Sequence, residues 1–344
     1  MKKLLLISGL VISGLVISAF AGAQEQCGFP VSLARSGFES GEQPASVVLP
    51  VENTPLNITI QGPTAGITVG VDAIQIYGTY LGPANTGVSV NGVPALTNGS
   101  AFVSPRIPLE PGVNTLTIRY ASTDAAPVTQ TRTVTYSAAA LPAVVFAARS
   151  PGDYAPTTMP FVLATRLPPN QTVVARVEID YNGDGVFEVD SVASPVRLEY
   201  AYENPGLYAA RARVSFDDGN MGTPLVVQED TARVLIQSLA YTRQTLCGVY
   251  YAMKSRLQQN QISLALNTQS PKQRNRMQAL WTGLANNSAL VTTANRLGQI
   301  IGGQLSRNTA EMTIAIPTAT AGQYDGFSVR FRRDENGVWR IDFM

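Results

Sequence analysis

The stretch IQIYGTYLGPANTGVSVNGV, residues 74–93, decides the architecture. Ile74 and Ile76 fall on one side of an alternating run, Gln75 and Tyr77 on the other, which is the period of a half-buried strand. Val88-Ser89-Val90 resumes the pattern and meets Asn91-Gly92 before Val93. A type I′ turn needs positive φ at both central residues, and Asn-Gly accepts that readily, so a hairpin is expected. Outward from it, Val47-Val48-Leu49, Ile58-Thr59-Ile60, Phe102-Val103, Leu116–Tyr120 and Val128–Tyr136 read as further strands, with Pro111-Gly112 as a turn. About seven short strands in some 90 residues, with turns every 8–12, argue a β-sandwich over 45–138.

The rhythm continues over 139–240. Phe161-Val162-Leu163 and Val173–Ile179 read as strands, and Asp180-Tyr181-Asn182-Gly183-Asp184-Gly185 follows as a turn. In the run after Tyr208, Ala210, Ala212 and Val214 fall on one side and Arg211 and Arg213 on the other. From 241 the period changes to that of a helix. Leu246, Val249, Tyr250, Met253 and Leu257 make one face, and Met277, Leu280, Trp281 and Leu284 another. A third helical or irregular segment spans about 289–305. Glu311–Ile316, Phe327–Arg332 and Val338–Phe343 then read as strands, the last two joined through Asn336-Gly337. Helices followed by an antiparallel meander give an α+β domain. The whole is multidomain and mainly β, two sandwiches followed by an α+β unit.

Three resemblances sharpen this reading. GITVGVDAIQIYGTYLGPANTGVSVNGVPA and the later PLEPGVNTLTIRY are similar to a bacterial immunoglobulin-like domain of the glucodextranase domain B type. That resemblance implies a spacer or adhesion module without catalytic residues. IDYNGDG, YAYENPGLY and RVSFDDGN resemble the polycystic kidney disease (PKD) domain, another sandwich of secreted and surface proteins. The helix with Met253 and Leu257, the Ile262–Leu266 segment and the ending FSVRFRRDENGVWRIDFM resemble the nuclear transport factor 2-like superfamily, a cone of helices against a curved sheet. That superfamily holds both small-molecule enzymes and noncatalytic binding modules.

The N-terminus reads as an address. Lys2 and Lys3 precede the apolar run 4–20, and Ala21-Gly22-Ala23 forms a small-residue cleavage site, so 1–23 is expected to be a signal peptide. An uncleaved anchor is the rival reading. Residues 24–44 form a polar arm. No later run is long and apolar enough to span a membrane, and a secreted or periplasmic location is expected.

Composition removes many chemistries. The 344 residues include no His and 2 Cys. Histidine-dependent nucleophile systems and zinc sites, and four-cysteine metal sites, are therefore excluded. Charge is uneven. Residues 24–240 carry 11 basic and 19 acidic residues, 241–344 carry 12 and 5, and 241–310 hold eight basic residues and no acid. The basic positions Lys254, Arg256, Lys272, Arg274 and Arg276 on the helices, with Arg330, Arg332 and Arg333 on a strand and its end, are either solvated, docked on the acidic part, or a patch for an acidic envelope protein, an anionic glycan or lipid headgroups. No nucleic-acid module is present.

The loop 180–185 satisfies D-x-[DN]-x-[DN]-G, with Asp180, Asn182, Asp184 and Glu188 as oxygen ligands for calcium. Position twelve is Ser191 rather than glutamate, so a tight turn competes with a weak calcium site; no other cofactor is expected. Cys27 and Cys247 are expected to pair in an oxidising compartment, with free thiols or an intermolecular bridge as alternatives. No catalytic set emerges. Of the acids in the last unit, Asp334, Glu335 and Asp342 flank the final hairpin and Asp325-Gly326 reads as a turn, so Glu311 is the candidate within a strand, and a polar pocket around it would favour an enzyme or glycan-processing accessory. A closed apolar cone would favour a noncatalytic binding or assembly protein of the cell envelope.

Overall fold

The computed structural model describes residues 3–4, 54–192, 197–320 and 323–344. The signal segment (apart from the backbone of Lys3 and Leu4), the arm 24–44, Val47–Leu49 and Cys27 lie outside the described residues. Among the described residues the chain divides into two compact units: 54–241 with Glu335–Val338, and Thr242–Asp334 with Trp339–Met344.

The first unit begins with seven strands: β1 (Asn57–Gly62), β2 (Tyr77–Leu81), β3 (Gly87–Val90), β4 (Leu96–Asn98), β5 (Ala101–Val103), β6 (Gly112–Ala121) and β7 (Val128–Tyr136), plus several two-residue pieces. One sheet runs β1-β2-β5-β4, and the other has β7-β6-β3 at its centre. Ile58, Tyr80 and Phe102 from the first meet Val88, Val90, Leu116, Ile118 and Val134 from the second in one buried cluster. Two sheets, antiparallel apart from the short parallel edge Thr68–Val69, closed face to face over alternating apolar residues, are the arrangement of an immunoglobulin-like sandwich. The Asn91-Gly92 turn forms as the sequence suggests. Val90 pairs with Val93, and both turn residues have positive φ, 50° and 78°.

A second sandwich follows, with β8 (Val144–Ala148), β9 (Thr157–Thr165), β10 (Val173–Asp180), β11 (Val189–Ser191), β12 (Glu199–Tyr202), β13 (Gly206–Asp217) and β14 (Val226–Ile236). Its sheets are β8-β9-β12 and β11-β10-β13-β14. Ala210, Ala212 and Val214 are fully buried, as their alternation predicts. The aromatic chain Phe146, Phe161, Tyr181, Tyr200 and Tyr202 runs through this core, successive ring centroids lying 4.9–5.2 Å apart.

The other unit holds α1 (Leu239–Gln258, its first three residues excepted), α2 (Ile262–Leu266), α3 (Pro271–Asn286) and α4 (Leu290–Arg296). They are followed by β15 (Gln299–Leu305), β16 (Thr309–Pro317), β17 (Tyr324–Arg333) and β18 (Trp339–Phe343). The four strands pair antiparallel in that order, and Lys3–Leu4 adds two paired residues at the start of β17. Leu246, Val249, Tyr250, Met253 and Leu257 are all buried, so the predicted stripe of α1 is its packed face.

Four local expectations differ from the structure. The alternating run from Ile74 is not one strand: Ala73–Ile74 pairs with Ile107–Pro108, and Tyr77–Leu81 begins anew after Gln75 and Ile76. The segment 289–305 is helix only to Arg296 and then strand. Gly298, where an added Cβ would meet the Ala315 carbonyl at 2.0 Å, lets the chain enter the sheet edge. Leu280 is 51% exposed, because Met277 and Trp281 alone reach the core from that turn of α3. The last hairpin is wider than a two-residue turn, since Arg333 pairs with Trp339 and leaves five residues in the loop.

Candidate functional site

The loop with the predicted ligands leaves the end of β10 and returns through Glu188 into β11. Asp180 is 1% exposed, while Asp184 and Glu188 are exposed and Asn182 is half-buried. The three carboxylates each place an oxygen within 4.8 Å of the other two. Their oxygens already accept hydrogen bonds from loop amides. Asp180 Oδ1 accepts from the Gly183 amide at 2.6 Å, and its Oδ2 from the Gly185 amide at 2.9 Å. Glu188 Oε2 accepts from the Tyr181 amide at 2.7 Å. Asp184 Oδ1 accepts from the Val186 amide and Asn182 Oδ1 from the Asp184 amide, both at 2.8 Å. Gly183 and Gly185 stand at φ 78° and 91°, a conformation that favours glycine. The acids therefore act first as acceptors that fold the turn. Tyr202 locks its base by donating its hydroxyl to the Tyr181 carbonyl at 2.7 Å.

The donor set fits a hard cation in type, since all of it is oxygen and each carboxylate keeps a second lone pair per oxygen. The bidentate acid at position twelve is absent, and Ser191 lies in β11. Asp190 does not fill the gap. Arg176 holds it through two bonds of 2.6 and 2.7 Å, which keep its carboxyl below the usual range.

Beside the loop lies an ion-pair ladder that sequence reasoning missed. Glu178 is 4% exposed and accepts two bonds from Arg213, at 2.6 and 2.7 Å, with Arg176 at 3.4 Å. The Arg213 hydrogen bonds hold the Glu178 carboxyl below its ordinary value against the opposing effect of burial. Phe187 stacks over Arg213 at 4.4 Å, so the loop also covers the sheet face. The visible signal was the alternation of Glu178 with Arg176 and of Arg211 with Arg213; their opposition depends on strand register.

Most of the basic positions of the helical unit have partners of their own. Lys254 is 7% exposed and lies 5.8 Å from the Tyr251 ring. Arg256 donates to the Leu264 carbonyl at 3.0 Å. Lys272 pairs with Asp342 at 2.8 Å, and Arg274 reaches the Gln269 carbonyl at 3.4 Å. Arg276 is exposed. On β17, Arg333 is buried against Trp339 at 4.9 Å; Arg330 and Arg332 are exposed, Arg330 over the Phe343 ring at 4.8 Å and Arg332 3.6 Å from Asp342. Four of the five predicted patch residues thus have contacts inside their own unit, and Arg276 is the one that presents its charge outward most plainly.

Glu311 is exposed on β16, opposite Arg330, and accepts a 2.6 Å bond from the Ser328 hydroxyl. Its neighbours Ala310 and Met312 point the other way into the core. That core is closed by Tyr250, Met253, Trp281, Met312, Phe331, Trp339 and Ile341, all 3% exposed or less. Cys247, 4% exposed, belongs to the same core, and its predicted partner Cys27 lies outside the described residues. Among the described residues no helix is long and apolar enough to cross a membrane.

No protein-family model and no curated protein matches the chain. Solved structures do. The fibronectin(III)-like modules of Clostridium thermocellum CbhA match at 12% identity over 53% of this chain and 95% of theirs, with a TM-score of 0.19. Domains 5-6 of the S-layer protein SbsC match at 16% identity over 52% of this chain and 98% of theirs, TM-score 0.25. Dimeric latent PorU from Porphyromonas gingivalis matches at 13% identity over 54% of this chain, which spans 20% of that protein, TM-score 0.28. At scores this low, the fold of this chain rests on its own sheet pairings.

Proposed function

We propose that the chain is a noncatalytic binding or assembly protein of the bacterial cell envelope, secreted or periplasmic after removal of 1–23. The two sandwiches are read as spacer or adhesion modules, bacterial immunoglobulin-like and PKD-like. The last unit is read as a nuclear transport factor 2-like recognition element. One observation carries this reading. Glu311, the acid whose burial in a polar cone would have favoured an enzyme, is exposed on the sheet face away from an apolar core. General acid–base work needs a positioned group beside a bound substrate, and an open strand face supplies no such enclosure.

For contact with an envelope protein or an anionic glycan, the exposed charges Arg276 and Arg330 are the best remaining candidates. The test is retention of envelope components by the mature chain 24–344 and by Arg276→Glu/Arg330→Glu, each at low and high salt. The wild type is expected to retain a component at low salt and release it as screening shortens the reach of the charges. The variant is expected to bind about tenfold more weakly, the scale of charges at an interface rim. Equal, salt-independent retention by both would overturn the electrostatic part of the reading.

A further inference from the structure

The joint between the two sandwiches is built like a core rather than a linker. Leu235 alternates out of the second sandwich's interior, where Val234 and Ile236 are packed, and is fully buried against Leu96 and Val103 of the first. Leu96 and Val103 likewise point away from the interior that holds Ala95 and Phe102. Polar groups cross the same joint. Gln237, with no exposed surface, donates its Nε2 proton to the Thr97 carbonyl at 2.9 Å. Asn98 donates to the Ile236 carbonyl at 3.2 Å and accepts from the Ser238 amide at 3.1 Å. Arg233 stacks on Tyr77 at 4.7 Å.

The backbone of Gln237 is tied within its own sandwich, its N–H to the Asp153 carbonyl and its carbonyl to the Ala155 N–H. Its side chain thus transmits that anchoring across the joint. Tandem modules on a flexible link keep a small, polar interface that opens easily. Opening this one would expose three buried apolar side chains and strand buried hydrogen-bonding groups together.

We infer that the two sandwiches open and close as one cooperative block, a strut with no hinge between them, in which Leu235 and Gln237 are the coupling residues. Its use as a rigid spacer rests on the function proposed above; the coupling itself does not.

Hydrogen exchange of the mature chain 24–344 across a denaturant series below global unfolding tests it. The wild type is expected to expose β2, β5 and β6 in the same opening as β13 and β14, with one shared denaturant dependence. Leu235→Ala/Gln237→Ala leaves both sandwich interiors intact. It is expected to split that opening into two, each with a smaller denaturant dependence, and to lower protection in the weaker sandwich by at least about tenfold. Two separate openings in the wild type, or a single unchanged opening in the variant, would overturn the inference. If the variant fails to fold, the wild-type series decides by itself. Loss of envelope binding leaves this series unchanged, so the two readings fail separately.

Discussion

At Glu178 two arginines converge on a carboxylate that water hardly reaches. Because its folded-state pKa is lowered, chiefly by the Arg213 hydrogen bonds, the pair stabilises the fold above the unfolded value of about 4.3. That contribution is lost as pH falls through the folded value. Glu178→Gln is expected to cost about 1–2 kcal/mol at pH 7, the lower range for bonds to a charged group, because Arg213 keeps a third of its side chain in water. The difference from wild type should shrink steadily in melting curves taken from pH 5 down to 2. A constant difference over that range would mean that Glu178 acts through packing. Glu178 and its partners were each visible in the sequence. The residues they face were not, because a pairing across β10 and β13 is set by register and not by nearness along the chain.

Among the described elements, the turn from Asp180 to Glu188 holds much of its shape through its own residues. Its shape follows from residue chemistry: acceptors at alternate positions and glycines where φ is positive. Whether it also holds calcium depends on what the exposed side of Asp184 and Glu188 can add. A bound cation should raise the melting temperature of the second sandwich with calcium concentration, by mass action on the folded state. Asp184→Ala should abolish that rise while lowering the calcium-free melting point only slightly. No calcium dependence in the wild type would leave the acids as turn-forming acceptors alone. The helices show the same division. The stripe of α1 was legible because one face of a helix must be apolar to pack. The partners of Lys254, Arg256, Lys272 and Arg274 were not, since each is a carbonyl, ring or carboxylate supplied by another segment or another turn.

At the scale of the whole molecule, Cys27 and Cys247 would tie the N-terminal arm to α1 across more than 200 residues of sequence. Closing so long a loop contributes ~3–5 kcal/mol in the chain-entropy account. Peptide mapping of the unreduced mature protein is expected to recover the two cysteines in one cross-linked pair. Reduction should then lower the melting temperature by several degrees. Two alkylatable thiols in the denatured, unreduced protein, or a dimer that reduction dissolves, would refute the pairing.

The strand rhythm, the Asn91-Gly92 hairpin, the inward face of α1 and the shape of the Asp180 loop were legible in the chain of residues alone. Each depends on residues within a few positions of one another, where periodicity and φ preference act directly. Folding in three dimensions was needed to turn Glu311 outward, to clamp Glu178 between arginines, to engage most of the basic helix residues inside their unit, and to join the sandwiches through Leu235 and Gln237. These outcomes depend on which distant segment supplies the partner, and strand register and packing choose that segment only once the chain has folded.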